Sequence, residues 1–76
     1  MSAEARRGGY MDFRIEFEQE EDGRWTAEIA SLPGVLCHGA TREEAESQVK
    51  ALALQVIAEQ LKENMVAPES ICFVSA

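Results

Sequence analysis

Residues 27–45 read AEIASLPGVLCHGATREEA, and the changes of period within this stretch decide the fold. Ala27 and Ile29 close an alternating run. Leu32-Pro33-Gly34 ends that run in a sharp turn, because proline has no N–H to donate and glycine accepts positive φ. Residues 35–38 then make a short strand, closed by Gly39. Thr41-Arg42-Glu43-Glu44 is a capping box: the Thr hydroxyl accepts from the third helical N–H and the Glu carboxylate reaches back. Strand, turn, strand and helix start thus follow one another within nineteen residues.

Toward the N-terminus, Phe13, Ile15 and Phe17 alternate with Asp12, Arg14, Glu16 and Glu18, the period of a half-buried strand beginning at Met11. Glu20-Glu21-Asp22-Gly23 reads as a tight turn with Gly23 in the left-handed position. A second run sets Trp25, Ala27 and Ile29 against Arg24, Thr26 and Glu28. Residues 1–10, small and charged with a Gly-Gly pair, are expected to be a disordered lead-in to a domain spanning 11–76. Toward the C-terminus the helix is expected to run to about residue 64, with Pro68 enforcing its stop. Residues 71–74 are β-branched and aromatic, a fourth strand. The order is β-β-β-α-β in one α+β domain.

The chain has 76 residues, 46% of them apolar and 28% charged, with a formal charge of −7 and a pI near 4.5. That balance belongs to a globular protein and argues against nucleic acid as the direct partner, since phosphate binding needs clustered Lys and Arg. It suits a basic protein partner. The N-terminal residues lack the apolar segment of a secretory signal, and no run approaches a membrane span. Cys37 and Cys72 show no disulfide-framework spacing, so the expected compartment is the cytoplasm.

The stretch opened above resembles the signature of the HicB-like antitoxin family, in Leu32, Pro33, Gly34, Gly39, Thr41, Glu44 and Ala45, and the likeness extends over residues 11–76. The resemblance implies a partial RNase H-like fold. Its first three strands form an antiparallel meander, the last lies parallel beside the first, and one helix covers one face. It also implies a function, neutralising a small, basic, mRNA-cleaving toxin of the HicA type. Many such antitoxins carry a C-terminal DNA-binding domain. None follows the fourth strand here, so the stand-alone form is expected.

In that fold a three-residue turn at 21–23 puts Glu16 opposite Glu28 on the face away from the helix. Glu16, Glu18 and Glu28 are therefore the candidate partner-binding residues. An RNase H-like fold also invites a divalent-metal nuclease reading through Glu16, Glu28, Glu44 or Glu46. Against it, Glu44 is used by the capping box, Glu46 lies outward beside Lys50, and no basic rim would hold RNA. Cys37 and His38 point to opposite sides of a strand and lack further ligands, so no metal, cofactor or catalytic residue is expected. Trp25 is expected to pack over the helix end or the hairpin.

The helix carries two apolar stripes: Ala45, Val49, Leu52, Ala53 and Val56 toward the sheet, and Leu54, Ile57, Ala58, Leu61 and Met65 on roughly the opposite side. One sheet cannot cover both. Cys72 and Val74 likewise leave the outer side of the last strand apolar, with no Lys or Pro to blunt an edge. The expectation is an antitoxin-like binding module assembling as a homodimer or larger, with Leu54, Ile57, Leu61, Cys72 and Val74 at the interface. The alternatives are a stand-alone oligomeric adaptor or small-ligand-binding domain without a toxin, and the nuclease.

Overall fold

A computed structural model of the protein describes residues 7–65 and 67–75. Its elements are β1 (Arg7–Gln19), β2 (Trp25–Glu28), β3 (Leu36–Gly39), α1 (Arg42–Asn64) and β4 (Ala67–Ser75). They form one four-stranded sheet in the order β3-β2-β1-β4. The β1/β2 and β2/β3 pairs are antiparallel and β1/β4 is parallel, the architecture expected above.

The β1–β2 hairpin closes where the sequence places it. Glu20 N–H donates to the Arg24 carbonyl at 2.7 Å, Gly23 N–H donates to the Glu20 carbonyl at 3.0 Å, and Gly23 sits at φ 92°. This three-residue loop with a left-handed glycine fixes the register, and Glu16 stands opposite Glu28. After β2, Leu32 N–H donates to the Ile29 carbonyl and Val35 N–H to the Leu32 carbonyl, at 3.0 and 3.1 Å. Gly34 at φ 83° completes the second of these stacked turns, while Leu32 and Val35 drop into the core.

Two strands begin earlier than the sequence reading places them, and the helix stops for a different reason. β1 begins at Arg7, so residues 7–10 are strand and not disordered lead-in; residues 1–6 lie outside the described residues. β4 begins at Ala67. The two extensions pair with each other, Arg7 with Ala67 and Gly9 with Pro68, with register shifts on either side of Gly9. Backbone pairing between distant segments leaves no side-chain period, and glycine accepts the irregularity. Pro68 therefore lies inside an edge strand, where a missing N–H is tolerated. The helix is stopped by Met65, whose left-handed backbone (φ 54°, ψ 45°) lets its N–H cap the Leu61 carbonyl.

The core gathers Phe13, Ile15, Ala27, Ile29, Leu32 and Val35 under Ala45, Val49, Ala53 and Ile57. These four helical residues are one i, i+4 row. Such a row drifts about 40° around the axis per step, so a helix crossing a twisted sheet keeps the row in contact along its length. Ile57, expected on the outer stripe, is consequently in the core with 1% of its surface exposed. Leu61, expected there too, is half-buried against the core, as are Leu52, Val56 and Trp25. Leu54 remains outside, 47% exposed.

Candidate functional site

Because α1 covers one face only, every second residue of β1, β2 and β3 stands on an uncovered face. Glu16, Glu18 and Glu28 are all exposed there. With Thr26 and Leu36 they line an open depression of about 300 Å³. Across the strands, Glu18 faces Thr26, which faces His38, and Glu16 faces Glu28, which faces Leu36. The sheet thus brings the three expected carboxylates onto one face, with Leu36, 42% exposed, at the end of the row beside Glu28.

The sequence reading missed a polar chain beside them. Thr26, with 9% exposure the one buried polar residue among those described, donates its hydroxyl proton to Glu20 Oε2 at 2.9 Å. The Thr26 hydroxyl oxygen in turn lies 3.1 Å from His38 Nδ1. With the hydroxyl proton committed to the carboxylate, Nδ1 is the donor of the second bond, and Nε2 is the ring's remaining polar atom. The alternation that put Glu28 on this face puts Thr26 there too, but Glu20 belongs to the turn and follows no period. Glu20 and His38, with Glu21, Asp22 and Arg24, border a second open depression of about 580 Å³ at the hairpin end.

Residues 39–45 are architectural. Thr41 caps α1 by accepting from Glu44 N–H at 3.0 Å, and the Glu44 carboxylate accepts from Ala40 N–H. A Cβ on Gly39 would lie 2.5 Å from Ala45 N and 3.0 Å from both Ala45 Cα and the Glu44 carbonyl carbon. The end of β3 therefore passes directly over the first helical turn, and the spacing from Gly39 to Ala45 records that crossing.

The other candidates fall in separate places. Glu44 and Glu46 are on the helix, across the sheet from Glu16 and Glu28. Glu46 pairs with Lys50 at 3.1 Å and accepts from Ser75 Oγ at 3.1 Å. Those two bonds, the Lys50 one foremost, hold its carboxyl below the usual range. Among the described residues no three His, Cys, Asp or Glu side chains are placed to hold a metal ion. Cys37 is half-buried on the helix side and burial pushes its thiol up, away from the reactive thiolate. Cys72 and Val74, both exposed, share the uncovered face, since they pair with Asp12 and Arg14 of β1. Leu54 is on the helix. The expected interface residues thus do not form one surface.

No family model, no curated protein and no solved structure matches the chain. Among the described residues no helix is long and apolar enough to cross a membrane.

Proposed function

We propose that this domain is an antitoxin-like binding module of the cytoplasm, silencing a small basic RNA-cleaving protein by docking it on the uncovered face of the sheet. One observation carries the reading. Glu16 and Glu28 stand directly opposite each other, with Glu18 adjacent, on a face no other element covers. Like charges so opposed are destabilising, by about 0.2–1 kcal/mol by analogy with cross-strand pairs, and a cationic partner turns that cost into attraction. Leu36, beside Glu28 on β3, supplies apolar contact. The resemblance of residues 32–45 to the HicB-like signature is the second support for this reading. Two free thiols suit a reducing compartment.

The test is binding to a small basic ribonuclease encoded beside this chain, with relief of its growth arrest on co-expression. Glu16→Lys with Glu18→Lys should slow association by about tenfold or more, because opposite charge mainly sets the on-rate. The unsubstituted pair should associate more slowly as salt rises past ~0.1 M, where the Debye length is ~10 Å. Unchanged association in the double variant would move the docking site off this face. Absence of binding to any such neighbour would leave the adaptor reading.

A further inference from the structure

Among the described residues β4 is the outermost strand on its side of the sheet, bonded only to β1, and none of them pairs with the other row of its N–H and C=O groups. Parallel strands ordinarily lie inside a sheet covered on both faces; this one is an edge. Residues 70–75 read SICFVS, without a charge, in a chain of net charge −7. β1 carries Asp12, Arg14, Glu16 and Glu18, and the opposite edge, β3, lies against Glu28 of β2. Two copies of an acidic chain repel each other least where this neutral segment meets its own copy.

We propose that β4 pairs antiparallel with β4 of a second copy about a two-fold axis through Cys72, joining the two four-stranded sheets into one. Symmetry and chemistry select that register. Parallel pairing cannot be two-fold, because a bonded residue of one strand then faces a non-bonded residue of the other. In an antiparallel pair facing residues share a side of the sheet, so between identical strands one residue must face itself. Centred on Cys72, Ile71 meets Phe73 of the copy and Ser70 meets Val74. Pro68 stays outside the ladder. Centred on Ile71, Pro68 falls within it; centred on Phe73, the ladder shortens. The pairing covers Ile71 and Phe73, which the helix leaves half-buried. It keeps both acidic faces on the same side of the joint sheet. The proposal does not depend on the basic partner.

The full chain under reducing conditions should show twice its 8.4 kDa mass by light scattering at micromolar concentration. Facing Cα atoms in such a pair lie about 4.5–5.5 Å apart, within the ~4.4–6.8 Å that a disulfide spans. Diamide should therefore link the two Cys72 thiols, whose two protons and two electrons reduce the diazene to the hydrazine. Cys72→Ser should remove the link and keep the dimer, and Cys37→Ser should keep both. Cys72→Glu, placing two carboxylates face to face at an exposed position, should weaken dimerisation by about tenfold or more. A monomer at these concentrations overturns the proposal. So does a dimer that Cys72→Glu leaves intact and Leu54→Glu splits, because that contact would lie on the helix.

Discussion

Gly39 has less room for a side chain than Gly23 or Gly34. The atoms a Cβ would meet are backbone, at 2.5 and 3.0 Å, and backbone at a helix start cannot swing aside as a side chain can. Gly39→Ala must push β3 from the first turn of α1, and overpacking of this kind costs about 1–3 kcal/mol. Urea unfolding should show that loss, with a lower midpoint and little change of slope. Glu46 acts more gently. Its carboxyl is held below its ordinary value of 4.5 by Lys50 and Ser75, so the folded state binds its proton less readily than the unfolded chain. The stabilisation is complete above 4.5 and is lost as pH falls through the lower folded value. Glu46→Gln should therefore lower stability slightly at neutral pH, and the two proteins should converge in acid. A gap that persists there would mean that the contact is steric.

Among the elements, α1 separates what is legible in a sequence from what is not. Its start after Thr41 was readable from the capping hydroxyl. Its end at residue 64 was placed correctly but credited to Pro68, where Met65 in the left-handed region makes the stop. The hairpin register was readable from local chemistry too, since turn length and Gly23 determine it. Which face of α1 turns inward was read only in part. Apolar residues occur on nearly every side, and the i, i+4 row that ends in Ile57 becomes the buried one only once a twisted sheet lies beneath it. Ile57→Ala should accordingly cost about 2–5 kcal/mol and Leu54→Ala about 0.5 or less, although both remove apolar atoms from one helix. Thermal unfolding of the pair checks this, and equal losses would restore the outward reading of Ile57. The extension of β1 and β4 was not readable at all, because pairing across some sixty residues leaves no local mark. Of the candidate site, alternation delivered Glu16, Glu18 and Glu28; the Glu20–Thr26–His38 chain needed the strands to be laid side by side.

The whole molecule is long for its mass. Its extents are 53 × 20 × 15 Å and its radius of gyration is 14.3 Å, against about 11 Å for a compact domain of this length. It exposes 5240 Å², where about 4,600 Å² would be usual for 8.4 kDa. The β1–β4 ribbon runs on past the end of β2. That ribbon also joins residues near the two ends of the described chain, Arg7 with Ala67. During synthesis the early half of β1 emerges first and waits, its backbone unsatisfied, while hairpin and helix form behind it. Only when β4 leaves the ribosome is its partner available. Loop-closure entropy makes the closing of this longest loop the step expected to be slow, and until it closes the nascent chain offers an open strand to anything within reach.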